Sequence, residues 1–316
     1  MTLALFRILA RKRGFVYHWV STKPPGRRKM NRVQRRSVAA FCVFLFAILL
    51  ASYGEEEKGE APYYRFWRGF KKAGLSMEDF HHALVTDFMP VTVKTHGKEG
   101  LVSYMVVLPP GSGTKVIPDE IALVAYASEN TYKTITRTPH GLAYQKKHGD
   151  IFTGKGSPGS ATIEIQGSSR ASRSLVPIDF ASTTARDFHR EQAYDVFRKP
   201  VDWQTGHSIF FYGFRKPSLR PDFFWDALYK HVSYVRTAFT PFGLKGYVIL
   251  VTQNEEIAFM NWDSKEGMEK ALQSPQGKAL VKDAMSILDT LLWKDFRGFD
   301  GTLNPGDCIN YQFPRP

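Results

Sequence analysis

The side chains best placed to do chemistry in this sequence are a few histidines and a set of rings and cations on apolar runs. His140 lies in Thr138-Pro-His-Gly141, a turn within the second helical pattern of the first copy. An imidazole there can exchange a proton or bind a metal, or it can be a solvent-facing ring beside a helix kink. His148, two turns on, poses the same choice. His81 and His82 are adjacent, so on a helix they point about 100° apart and cannot share one metal from one face. With Asp87 they would need a ligand from another element. No HExxH spacing, nucleophile elbow or cysteine zinc motif occurs, which leaves metal and nucleophilic chemistry without a local signature. Gly149-Asp-Ile-Phe-Thr-Gly-Lys-Gly156 approaches a phosphate loop. It has Gly156 where Ser or Thr should hold magnesium, and it follows a helix rather than a strand. The second set is Tyr64, Phe66, Arg68 and Tyr104 with Phe210, Tyr212 and Trp262. These could line an apolar cavity with a few hydroxyls and one guanidinium, the usual setting for a planar organic ligand, or could simply fill a core.

The elements that carry these residues occur twice. Gly69-Phe-Lys-Lys-Ala-Gly-Leu-Ser-Met-Glu-Asp-Phe-His-His-Ala-Leu84 matches Gly213-Phe-Arg-Lys-Pro-Ser-Leu-Arg-Pro-Asp-Phe-Phe-Trp-Asp-Ala-Leu228 without a gap. Ile121-Ala-Leu-Val-Ala-Tyr-Ala-Ser128 matches Ile257-Ala-Phe-Met-Asn-Trp-Asp-Ser264, and the register holds from Thr138–Ala143 to Ser274–Ala279, so His140 stands against Gln276. This is an internal duplication. In the first copy, strands are expected over 63–70, 101–108, 121–126 and 160–165. Helices are expected from Ser76, which resembles a capping box with Asp79, and over 129–149 with a break at Pro139. In the second copy the strands are 207–214, 245–252, 256–262 and 291–299, and the helices 221–239 and 265–288. Each copy reads βαββαβ, a four-stranded antiparallel sheet with both helices on one face. The strands are apolar on both faces, so the bare face also needs cover. Two copies in one chain supply it by packing sheet to sheet.

That pattern resembles the dimeric α/β-barrel superfamily, which includes EthD-type proteins, antibiotic-biosynthesis-type monooxygenases, haem-degrading enzymes and the fused-repeat chlorite dismutase group. Gly74-Leu-Ser-Met-Glu-Asp-Phe-His-His-Ala-Leu-Val-Thr-Asp-Phe-Met-Pro90 resembles the EthD pattern of Gly-Leu-Ser/Thr, an acidic pair, Phe, and a helix ending in His-Ala-Pro. It departs at Phe88 and Met89, where that family has His-Ala. The resemblance covers roughly 62–166 and 207–300. It implies an α+β fold of two tandem ferredoxin-like repeats packed as an intramolecular barrel. The residues themselves lead to the expectation of a small apolar or aromatic ligand between the sheets, held by Tyr64, Arg68, Tyr104, Tyr212 and Trp262, with His140 as the proton- or metal-contacting candidate and an oxygenase-like or lyase-like activity. No cofactor is favoured. Haem held through His140 is an alternative, because helix histidines ligate iron in haem-binding members; a packed, non-catalytic scaffold is another.

Charge separates the remaining partners. Of the 43 Lys and Arg, 11 fall in residues 1–54 against no Asp or Glu, so the other 32 face 30 acidic residues, a net of +2. Nucleic acid is therefore not the expected partner. Arg32, Arg35 and Arg36 precede the apolar run Val38–Ala51, then Ser52-Tyr-Gly54 and an acidic stretch, the layout of a signal peptide beginning at Met30 with cleavage after Gly54. The expectation is a secreted or periplasmic protein that meets a membrane only through an uncleaved leader, either as a monomer holding its own pseudo-dimer or as a higher oligomer. Cys42 leaves with the leader, and Cys308 alone remains. The expected organisation is a leader (1–54), repeat one (55–166), a connection (167–206), repeat two (207–300) and a tail (301–316).

Overall fold

The computed structural model describes residues 62–111, 117–153, 170–171, 175–188 and 192–313. The leader, and the strand expected over 160–165, lie outside them. In the first repeat, β1 (Tyr63–Gly69) leads to α1 (Met77–Ala83), a π turn (Leu84–Phe88) and α2 (Met89–His96). Then follow β2 (Leu101–Val107), β3 (Glu120–Tyr126), α3 (Glu129–Ile135) and α4 (Pro139–Ile151). The segment after it gives β4 (Arg170–Ala171), β5 (Val176–Pro177), the single turn α5 (Ala185–Phe188) and β6 (Gln192–Asp195). The second repeat runs β7 (His207–Arg215), α6 (Pro221–Phe239), β8 (Leu244–Val251), β9 (Glu255–Trp262), α7 (Lys265–Gln273) and α8 (Pro275–Ile287). It ends with β10 (Leu288–Asp295), β11 (Arg297–Gly298) and β12 (Cys308–Asn310).

The helix expected over 265–288 is broken at Ser274-Pro275 in the same way as the first copy at Thr138-Pro139. Thr138 Oγ1 accepts from Gly141 N and Ser274 Oγ from Gly277 N, both at 3.0 Å. Each proline sits in the first turn, where its missing N–H costs nothing. The glycine is required because a Cβ there would lie 2.0 Å from the Ile135 or Ala271 carbonyl oxygen of the preceding helix.

The two sheets have strand orders β11-β12-β2-β3-β1-β4 and β10-β7-β9-β8-β6-β5. Four strands of each, β4-β1-β3-β2 and β10-β7-β9-β8, follow the ferredoxin-like order 4-1-3-2. The chain also crosses between the sheets: β10, an edge of the second sheet, passes at Phe296 into β11 at the edge of the first, and β4 to β5 does the converse. The parallel pairs β5·β6 and β11·β12 then extend the sheets beside β8 and β2. The connection and the tail are thus equivalent pieces of barrel wall. In particular the tail contributes Cys308–Asn310 to the first sheet.

Strand alternation divides the interior into three layers. Tyr64, Phe66, Leu123 and Met105 meet Phe210, Tyr212, Phe259 and Leu250 between the sheets. Trp67, Tyr104, Val106 and Tyr126 face the first repeat's helices, and Phe211, Tyr247, Met260 and Trp262 face the second's. Each sheet is covered on both faces, so its strands lack polar alternation.

Candidate functional site

The layer between the sheets is filled by its own side chains. Phe66 and Phe259 meet edge to face with ring centroids 5.5 Å apart, and Trp203 Nε1 donates to Tyr64 Oη at 3.1 Å. At one end Arg68 Nη2 donates to both oxygens of Glu255 (3.1 and 2.9 Å), Tyr212 Oη donates to the same carboxylate, and Thr252 Oγ1 lies 3.2 Å from it. Burial first, then the Glu255 charge, push the Tyr212 phenol up, so it stays a donor. Arg68 and Tyr212 occupy matching positions, since Arg68 pairs Ile121 and Tyr212 pairs Ile257. The cluster ties one repeat to the other. Buried Cys308 lies in the same layer, its thiol pushed up by burial.

The expected site residues therefore separate. Tyr64, Arg68 and Tyr212 do share the inter-sheet layer, Arg68 and Tyr212 together on Glu255 and Tyr64 apart from them against Trp203. Tyr104 and Trp262 do not: they lie on the opposite, helix-covered faces of different sheets. In strands apolar on both faces, residue type does not reveal which face meets the other sheet. His140 is exposed at the second position of α4 rather than over a sheet. It is not placed to hold an iron there, and no group of three His, Cys, Asp or Glu gathers as a metal site among the described residues.

A cavity of about 40 Å³ lies instead between the second sheet and its helices α6 and α8. Phe211, Phe239, Met260 and Leu280 form apolar walls, and Glu256, His231 and Trp262 bring polar atoms. The two exposed lining residues, Val281 and Trp293 (38% and 44%), mark its mouth. His231 Nδ1 donates to Asp283 Oδ2 at 2.7 Å, which leaves Nε2 as an acceptor in the neutral ring. Tyr247 Oη donates to Glu256 Oε1 at 3.0 Å. Burial pushes the Glu256 carboxyl up despite the opposing influence of His231 and the Tyr247 bond. Glu256 Oε2 and Trp262 Nε1 are buried with no hydrogen-bond partner among the described residues. Such atoms are uncommon and ask for an explanation.

The first repeat shows why the second is hollow. Strand registers and the shared Pro-x-Gly caps put Glu120 against Glu256, Tyr126 against Trp262, Tyr144 against Leu280 and His148 against Ala284. The first repeat carries one residue more between Leu84 and Leu101 than the second between Leu228 and Leu244, and the π turn absorbs it. Phe88 then stands against His231 and His96 against Phe239. In the first repeat Tyr144 stacks on Phe88 (5.2 Å, 28°), His148 meets Trp67 edge-on (5.2 Å, 78°), and Tyr144 Oη bonds Thr92 Oγ1 at 2.8 Å. Trp67 Nε1 donates to Glu120 Oε2 at 3.1 Å. Leucine and alanine in place of Tyr144 and His148 leave the matching space empty. His231 and Glu256 were missed from sequence because a gapless match pairs Phe88 with Val232, and a glutamate in an apolar strand carries no motif.

No family model and no curated protein matches this chain. Among solved structures, a candidate monooxygenase from Lactobacillus acidophilus NCFM overlaps it at 10% identity with TM-score 0.39, covering 80% of this chain and 100% of that one. Another from Fusobacterium nucleatum subsp. nucleatum gives 11% and 0.38, covering 81% and 99%. A haem-binding protein from Thermus thermophilus gives 10% and 0.31, covering 73% and 89%. Overlaps of this size say nothing about chemistry, and the fold rests on the strand order. The chain is two tandem ferredoxin-like repeats packed sheet to sheet in the manner of a dimeric α/β barrel, with its cavity on the helix side of the second repeat.

Proposed function

We propose that this protein binds a small, largely apolar molecule between the sheet and the helices of its second repeat. The observation that carries the reading is the cavity beside Glu256 and Trp262, in a space that the first repeat fills with its own rings. Apolar walls with a few convergent polar groups are the usual form of a small-molecule site. His231 and the uncharged form of Glu256 can accept and donate a proton, which is the chemistry an oxygenase-like or lyase-like turnover would draw on. The test is a panel of small apolar and aromatic compounds, read by thermal shift and tryptophan fluorescence on the wild type and on Leu280→Tyr/Ala284→His. A ligand at a hundred times its Kd adds about 2.7 kcal/mol of stability. The wild type should respond to at least one compound and the filled variant to none. Silence across the panel, or equal responses from both proteins, would remove the reading.

A further inference from the structure

We infer that the cavity of the second repeat takes a planar ring carrying a hydrogen-bonding heteroatom, in the place that Tyr144 and His148 fill in the first. This rests on the cavity being a ligand site. In the first repeat the rings form an unbroken column along the helix face of the sheet: His96 lies 4.5 Å from Tyr144, Tyr144 4.7 Å from His148, and His148 5.2 Å from Trp67. Its ends are tied to strand β3 by His96 Nδ1 with Tyr126 Oη (2.9 Å) and by Trp67 Nε1 with Glu120.

The second repeat keeps the ends and lacks the middle. Phe239 packs on Trp262 at 5.3 Å, Phe211 stands at the far end, and Leu280 and Ala284 stand where the two middle rings would be. The gap at Ala284 corresponds to His148, beside Phe211 and next to the Glu256 end of the strand. Phe211 presents a ring to it, and ring faces and edges favour an aromatic guest over an aliphatic one of equal size. Tyr247 occupies Glu256 Oε1, so Oε2 is the atom left to meet a heteroatom on the guest. The void of about 40 Å³ is smaller than the ~150 Å³ that holds a benzene. A ring therefore enters only if Trp293 swings away. Trp293 is exposed and stands edge-on to Phe211 (5.8 Å, 79°), the relation His148 has to Trp67. It acts as the flap that a bound ring displaces.

Four probes test this on the full chain by fluorescence and calorimetric titration: 4-methylphenol and 4-methylimidazole, which are the missing side-chain groups themselves, toluene, a ring without a heteroatom, and 1-pentanol, a heteroatom without a ring. At least one polar ring should bind about tenfold tighter than toluene and pentanol, a difference of about 1.4 kcal/mol, with a change in tryptophan emission that Trp293→Phe diminishes. The preference over toluene should vanish in Glu256→Leu/Tyr247→Phe, which removes both partners of the buried bond together. Toluene or pentanol binding as tightly as the polar rings overturns this inference and leaves the cavity a ligand site. No binding by any probe, together with silence across the wider panel, overturns both. Should the double variant not fold, polar-ring binding that persists in Leu280→Tyr/Ala284→His overturns the placement.

Discussion

Replacing Glu120 by glutamine should remove a stability loss that the wild type suffers on the alkaline side of neutrality. Glu120 is fully buried, and burial outweighs the Trp67 bond to push its carboxyl up to about 8 from 4.5. Between those values the folded protein holds a proton that the unfolded chain has lost, so stability falls by about 1.4 kcal/mol per pH unit. His96 opposes it in part. Burial lowers that imidazole to about 4 from 6.5, so between those values the unfolded chain holds the extra proton and stability rises with pH by a similar slope. The two slopes cancel from about pH 4.5 to 6.5. Above 6.5 only the glutamate remains, and by pH 8 the wild type should have lost about 2 kcal/mol. Glu256 is displaced in the same direction and adds to the fall. Glutamine keeps an acceptor for Trp67 Nε1 and has no proton to lose. Urea unfolding of both proteins from pH 6 to 8.5 should therefore show the Glu120→Gln advantage growing by about 2 kcal/mol above pH 6.5. An advantage constant to within about 0.5 kcal/mol over that range would refute the reasoning, because a buried, displaced carboxyl cannot leave it flat.

Arg68→Met should cost about 3–5 kcal/mol by stranding the Glu255 carboxylate between the sheets, and Arg68→Met/Glu255→Met should recover most of it; a double-mutant cycle with no coupling would show that the pair does not join the repeats. Gly277→Ala should cost more than about 2 kcal/mol, because its Cβ would lie 2.0 Å from the Ala271 carbonyl oxygen. Gly149→Ala, with nothing within 4 Å of its Cβ in a helix interior, should gain up to about 1 kcal/mol; thermal unfolding reads the contrast. The export signal expected in residues 30–54 leads to a mature chain beginning near Glu55, which N-terminal sequencing of protein recovered outside the cytoplasm would show and a retained Met30 would contradict.

The duplication was legible in the residues because both copies must solve the same local problems. Thr138-Pro-His-Gly and Ser274-Pro-Gln-Gly each start a helix and each need a glycine against a carbonyl. Ser76 with Asp79 caps the first helix as expected, Ser76 Oγ accepting from Asp79 N at 2.9 Å. Caps, turns and periodicity act over a few residues, so they can be read one segment at a time. The need for two sheets to cover each other also followed from strands apolar on both faces.

What the tertiary structure alone decided depends on long-range register. Tyr104 and Trp262 look no different from Tyr64 and Tyr212 in sequence, yet a one-residue change of parity sends them to another layer. β4, β5 and β11 are two residues long, too short for any pattern, and exist because each edge strand crosses to the opposite sheet. The cavity is set by differences between copies, Leu280 and Ala284 against Tyr144 and His148 and His231 against Phe88, the last an equivalence that the extra residue in the π turn hides from a gapless match. A void has no residue of its own, so it becomes visible only when the surrounding side chains are placed in space.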